Sequence, residues 1–215
     1  MPGETAAHRQ LKHLAAEWAR HEGFTGIASE VRLPKSAYRA DVAAYKPARN
    51  QLGTTAVFEC KQSRSDLLKD SYRRDATSMR LRQLDVRRQK LEELLKLHYP
   101  SLRSGDTLFA EFDAIHLAGF QHETYRRVLR EIEILQRRLA GKTKFDKLTR
   151  YRCANLNYLV VEPDILAPEE TPVGWGLLVR RDSVLTLVRV PQWQEVATGE
   201  RLRLLENIAA RARID

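Results

Sequence analysis

An α/β fold is what this 215-residue chain predicts: a central mixed β-sheet flanked by helices, with a large helical insertion of coiled-coil-like hairpin form. Three observations carry that expectation. Short β-branched and aromatic runs follow one another at 26–33, 38–45, 54–61 and 157–162, and a hairpin pattern follows at 174–190. Segments of helical periodicity bracket these runs at 4–21 and 199–213. Between 54–61 and 157–162 the composition turns to leucine, arginine and glutamate at spacings of three and four. The chain therefore divides into 1–74, the first part of the core, 75–142, the helical insertion, and 143–215, the second part of the core with its terminal helix.

The first helix places Ala7, Leu11, Leu14, Ala15 and Trp18 at helical spacing and stops at Gly23. GIASEVRL at 26–33 reads as a strand broken by Pro34. YRADVAAY at 38–45 and TTAVFECK at 54–61 are two more, with Pro47, Asn50 and Gly53 marking the loop between them. Ser63-Arg64-Ser65-Asp66 fits a capping box that opens a helix through LLKD. In the insertion, Leu84, Leu91 and Leu95 begin one helical stripe, and Tyr125, Val128, Ile132, Leu135 and Leu139 form a coiled-coil seam. NYLVVE at 157–162 is a strand, and the stretch from Gly174 to Val190 is a hairpin turning at Arg181-Asp182-Ser183. Leu202, Leu205, Ile208 and Ala209 mark the apolar face of the last helix.

A net charge of +9 and an isoelectric point near 9.8 favour a polyanionic partner, with nucleic acid ahead of an anionic membrane surface. No stretch reaches the roughly 18 apolar residues of a membrane span, and the N-terminus lacks the apolar centre of a signal peptide. Cys60 and Cys153 form no metal-ligand pattern, and a reducing cytoplasm is the expected compartment.

The chemistry concentrates in two adjacent strands. Asp41 stands eighteen residues before Glu59-Cys60-Lys61. Alternation puts Thr55, Val57, Glu59 and Lys61 on one face of their strand, and hairpin pairing can bring Asp41 beside them. Two carboxylates and an ammonium make a hard-metal site, with Asp41, Glu59 and the backbone carbonyl of Cys60 as oxygen ligands for Mg²⁺ or Mn²⁺. Such a site polarises a phosphoryl oxygen and acidifies a water, which Lys61 can hold. Glu30 can complete a second metal position or accept a proton. The plain alternative is a cross-strand ion pair on a solvated face. Cys60 itself reads as a small core residue, and the six histidines, without paired-ligand spacing, as surface or helix residues.

These residues resemble the PD-(D/E)xK nuclease superfamily, the restriction-endonuclease-like fold, with Asp41 as its first acid and Glu59-x-Lys61 as its E-x-K. A longer match is similar to the MmcB-like family of DNA-repair proteins: Glu30, RADVAAY at 39–45, ECKQSRSDLLKD at 59–70, Lys147, Tyr151, YLVV at 158–161 and GWGLLV at 174–179. Ser71 to Asp146 lies outside the match, and Leu67 and Leu148 stand where that family has an aromatic residue and tryptophan. The resemblance implies a metal-dependent DNA nuclease acting in repair or in defence. The rival expectation is a nuclease-fold protein that binds DNA or recruits partners without cutting.

From Ser71 to Arg152 there are 19 Lys and Arg against 11 Asp and Glu, nearly the whole excess of positive charge. Arg87, Arg88, Arg137 and Arg138, with Lys147 at the root, are the expected phosphate contacts. The alternative is that such arginines pair with Glu92, Glu93, Glu131 and Glu133 along solvated helices. A third reading makes the Tyr125–Leu139 seam a homodimer contact, which requires the seam to be exposed in one chain.

Overall fold

The computed structural model describes residues 4–64, 76–98, 122–139 and 152–212. Helix α1 (Ala6–His21) leads into β1 (Gly26–Arg32), β2 (Arg39–Ala48) and β3 (Gln51–Lys61). Helices α2 (Ala76–His98) and α3 (Glu123–Leu139) come next. The chain then forms β4 (Leu156–Val161), a 3₁₀ turn at Pro168–Glu170, β5 (Gly176–Arg181), β6 (Val184–Arg189) and α4 (Thr198–Ala212). The six strands make one mixed sheet in chain order. Strands β1, β2 and β3 are antiparallel neighbours, β3, β4 and β5 run parallel, and β6 returns antiparallel to β5.

Both ends of α1 follow from local chemistry. Thr5 caps the start by accepting the His8 amide at 3.2 Å. At the other end Gly23 takes φ +85°, and the amides of Gly23 and Phe24 bond back to Arg20 and Ala19. This Schellman geometry needs a residue free of the Cβ penalty at positive φ. The expected loop between β2 and β3 is shorter than its Pro and Gly content implies. Arg49-Asn50 is a two-residue turn, Asn50 has φ +57°, and Pro47 sits in the strand where the register shifts between Lys46 and Ala48. A bulge is where a strand tolerates a residue with no amide to donate.

The sheet is covered on both sides, which is why β4 (LNYLVV) is buried along its whole length instead of alternating. On one face Leu11, Leu14, Ala15 and Ala19 of α1 pack on Val42, Phe58, Cys60, Tyr158, Val160 and Leu178. Here Phe58 and Tyr158 stack at 5.0 Å, with Trp18 edge-on to Tyr158 at 5.1 Å. On the other face Leu204 and Ile208 of α4 pack on Val31, Val57, Leu159, Val161, Trp175 and Leu177.

Helices α2 and α3 pair with each other. Leu81 and Leu84 pack against Val128, Ile132 and Leu135, so the expected seam is buried inside the chain as far as Leu135. The Leu139 side chain lies outside the described residues, as do the helix expected after Ser65 and the residues Asp66, Asp70, Lys147 and Tyr151.

Candidate active site

Glu30 interrupts the regular pairing of β1 and β2. It takes φ +55°, the left-handed region that a glutamate enters only at a cost. As a result Ala28 and Val31, three residues apart, both enter the α4-side core, and so do their partners Ala43 and Ala40. The Glu30 side chain is thereby delivered to α1, where its Oε1 accepts from the Lys12 ammonium at 2.7 Å. Lys12 is buried, also pairs with Glu4, and has its pKa raised: burial opposes its charge, and the two carboxylates outweigh burial. Glu30, expected as a metal ligand or proton acceptor, is thus the partner of an ammonium group.

Pairing of β2 with β3 runs only as far as Val42–Phe58. Asp41, one residue beyond, does not sit as a cross-strand neighbour on a flat face. Its Oδ2 accepts the Cys60 amide at 2.7 Å, so the carboxylate replaces a backbone partner where the strands part. Its Oδ1 lies 3.4 Å from Nε2 of His8 on α1. That contact is the main reason the His8 pKa is raised, against the opposing effect of burial. Glu59 and Lys61 alternate with Phe58 and Cys60 of the α1-side core, so they share the opposite, α4-side face of β3, as expected. Glu59 is fully buried and Lys61 nearly so, at 0% and 7% exposure. The Cys60 thiol records the charges around it. Burial pushes it well above its ordinary pKa, Asp41 and Glu59 add to the rise, and Lys12 and Lys61 oppose it. Cys60 is the small core residue that was expected, and its thiolate is suppressed.

Two polar ties join this corner to its surroundings. The Thr5 hydroxyl donates to Oε1 of Gln62, fastening the start of α1 to the end of β3. Arg64 makes a forked pair with Glu170 at 2.9 and 3.1 Å and also donates to the Ile165 carbonyl.

Among the described residues, no three His, Cys, Asp or Glu side chains stand close enough together to hold a metal ion. The donor set expected from the sequence is the carboxylates of Asp41 and Glu59 and the carbonyl of Cys60, between Glu59 and Lys61. This set fits Mg²⁺, which uses one or two carboxylates, keeps several waters and takes substrate phosphate oxygens.

The α2–α3 pair corrects one expected phosphate contact. Arg88 is fully buried, with Nε 2.9 Å from Asp85 and Nη1 2.8 Å from Glu92. Asp85 also bonds to Arg189 of β6, which donates to the Pro168 carbonyl at 2.7 Å, and Glu92 accepts the Tyr125 hydroxyl at 2.7 Å. Arg88 therefore serves the internal structure. Arg87 is exposed, and the side chains of Arg137 and Arg138 lie outside the described residues. The pairing of a helix arginine with a glutamate is seen at Arg80–Glu131, and Arg152, in the turn before β4, pairs with Glu133.

Sequence reasoning missed His8 and Lys12. Their one signal is the spacing Glu4, His8, Lys12, a charged stripe on the same side of α1 as Ala15 and Ala19. No family model matches the chain, and no curated protein matches it. Among solved structures it is similar to SPO1766, a protein of unknown function from Silicibacter pomeroyi, at 16% identity. That match covers 99% of this chain and 90% of the other, with a TM-score of 0.51. The likeness is one of fold, an α/β arrangement around a mixed sheet. Among the described residues no helix is long and apolar enough to cross a membrane.

Proposed function

We propose that this chain is a metal-dependent nuclease of the PD-(D/E)xK kind, similar to the MmcB-like family, and that it hydrolyses DNA phosphodiesters in repair or defence. The observation that supports this most is the fork between β2 and β3. There the Asp41 carboxylate meets the amide of the residue between Glu59 and Lys61. Buried charges are costly unless a purpose keeps them, and here a carboxylate and an ammonium are buried two residues apart on one strand face.

Asp41 and Glu59 would hold the cation, Mg²⁺ or Mn²⁺. Bound there, it would polarise a phosphoryl oxygen and lower the pKa of a water. Lys61 orients the attacking water and stabilises the negative charge that gathers on the phosphoryl oxygens. His8 and the Cys60 amide hold the two oxygens of Asp41 in place. Lys12 restrains Glu30 at the edge of the site.

The rival reading, a nuclease-fold protein that binds nucleic acid without cutting, is favoured by the full burial of Glu59 and the engagement of Glu30 with Lys12. Incubation of the chain with plasmid, linear and single-stranded DNA plus Mg²⁺ or Mn²⁺ separates the two. Cleavage that disappears in Asp41→Ala and Glu59→Ala, and drops at least ~10²-fold in Lys61→Ala, supports hydrolysis. Equal cleavage by all four proteins means a contaminant, and DNA binding without cleavage supports the rival.

A further inference from the structure

We propose that Arg32 and Arg39 form a phosphate-binding pair beside the site, gripping the backbone of a nucleic acid strand about two steps away from the phosphodiester at Asp41, Glu59 and Lys61. The inference rests on the nucleic-acid reading above and adds the place where the strand is held. Arg32 of β1 and Arg39 of β2 are direct register partners. Both are exposed, and no carboxylate among the described residues pairs with either guanidinium. Like charges directly opposite on neighbouring strands are destabilising, and a hairpin end is normally free to carry an opposite pair there. From Val31 to Ala40 the chain has three cations, Arg32, Lys35 and Arg39, and no acid. Only Lys35 is neutralised, by Glu200 at 3.0 Å. The repulsion between the two arginines thus has no remedy inside the described fold, and an external anion would supply one.

Position argues for the same ligand. Arg32 follows Glu30 by two residues and Arg39 precedes Asp41 by two, on paired strands. Val31 and Ala40 point into the α4-side core, so alternation sends Arg32 and Arg39 toward the α1 side of the sheet, the side from which His8 of α1 reaches Asp41. Two strand residues span about 6.8 Å, roughly two base steps along a nucleic acid strand. A single strand can therefore present one phosphate to the carboxylate fork and another, two steps on, to the arginines. Guanidinium groups suit that role because they stay charged and match phosphate oxygens in a fork.

Binding of a fluorescein-labelled 30-nucleotide single strand, and of its duplex, by fluorescence polarisation in EDTA tests this without requiring cleavage. Arg32→Gln/Arg39→Gln should weaken binding roughly tenfold and lower the slope of log affinity against log salt by about 1.4 for the single strand. Arg49→Gln is the control: it removes the same charge from the far end of β2 and should leave both quantities unchanged. Arg39→Glu places an opposite charge across from Arg32, so it should raise Tm while abolishing binding, a split that a merely structural role does not produce. Wild-type affinity in the double glutamine variant, an equal loss in Arg49→Gln, or no DNA binding by the wild-type chain would overturn the proposal. Arginine-dependent binding with no cleavage under Mg²⁺ would sink the hydrolytic reading and leave this one standing. Cleavage that ignores both arginines would do the reverse.

Discussion

Cys60 and Cys153 show how far burial alone governs a side chain here. Cys153 donates to the Pro34 carbonyl at 3.2 Å, and burial, aided by Glu200, pushes its thiol up to about 12. Cys60 is raised as well, among the charges of the site. Both thiols should resist a disulfide reagent at pH 8 in the folded chain and react fully in denaturant, which a thiol count with and without guanidinium checks. The folded pKa lies above the unfolded one, so the stability tied to Cys153 is intact below about pH 9 and is lost as pH climbs toward 12. Across that window it falls by about 1.4 kcal/mol per pH unit. Denaturant melts of Cys153→Ala and wild type should therefore converge as pH rises from 9 to 11. A constant gap between them would show that the thiol ionises in the folded chain. His8 and Lys12 were illegible for a different reason. Each is a helix residue whose partner, Asp41 or Glu30, lies on a strand that only the packing of α1 onto the sheet brings near.

The α2–α3 pair is held by two kinds of contact that respond differently to substitution. Its apolar seam is internal, with Ile132 and Leu84 at 1% and 2% exposure. Ile132→Ala should destabilise the pair by about 2–5 kcal/mol, seen as lost helical ellipticity at lower temperature, while solution mass by light scattering stays unchanged. A mass that halves would mean that the seam joins two chains after all. The polar contact is the buried network of Asp85, Arg88, Arg189, Glu92 and Tyr125, which ties α2 to β6. Asp85→Asn leaves two buried guanidinium groups short of a counter-charge and should cost about 3–5 kcal/mol in urea melts. The arginine pairs looked alike in the sequence. Arg87 and Arg88 are adjacent, but one residue of helix turns the side chain by about 100°, so one faces solvent and the other the network. A charge count cannot make that distinction.

At the scale of the whole molecule, the sheet acts as the ruler that places the site. Antiparallel β1–β3 supplies Glu30, Asp41 and the E-x-K strand, and parallel β4 and β5 bury that strand from the other edge. Every charge of the candidate site is thus fixed by an element buried on one or both faces. The expected consequence is a stability response to the cation. Millimolar Mg²⁺ or Mn²⁺ should raise the wild-type Tm and should fail to do so in Asp41→Asn or Glu59→Gln, because a ligand that binds only the folded state stabilises it by mass action. Differential scanning fluorimetry reads this without any nuclease assay. An equal rise in wild type and both variants would place the cation elsewhere.

The order of elements, the six strands, α1 with its stop at Gly23 and the E-x-K strand were all readable from residue order. Periodicity, capping residues and turn chemistry act over a few residues, and those are the distances a sequence displays. The shared face of Glu59 and Lys61 was readable for the same reason, since strand alternation is local. What the tertiary structure decided was everything that depends on two elements meeting. Asp41 lies in the fork and bonds the Cys60 amide because β2 and β3 part at Val42. Glu30 turns toward Lys12 through a left-handed backbone that no propensity would assign to glutamate. The seam is covered and Arg88 is buried because α2 and α3 fold onto each other and α2 onto β6. Local sequence selects each element's conformation, whereas the partner of a charged side chain is selected by a packing that spans the chain, from Lys12 and Glu30 to Asp85 and Arg189.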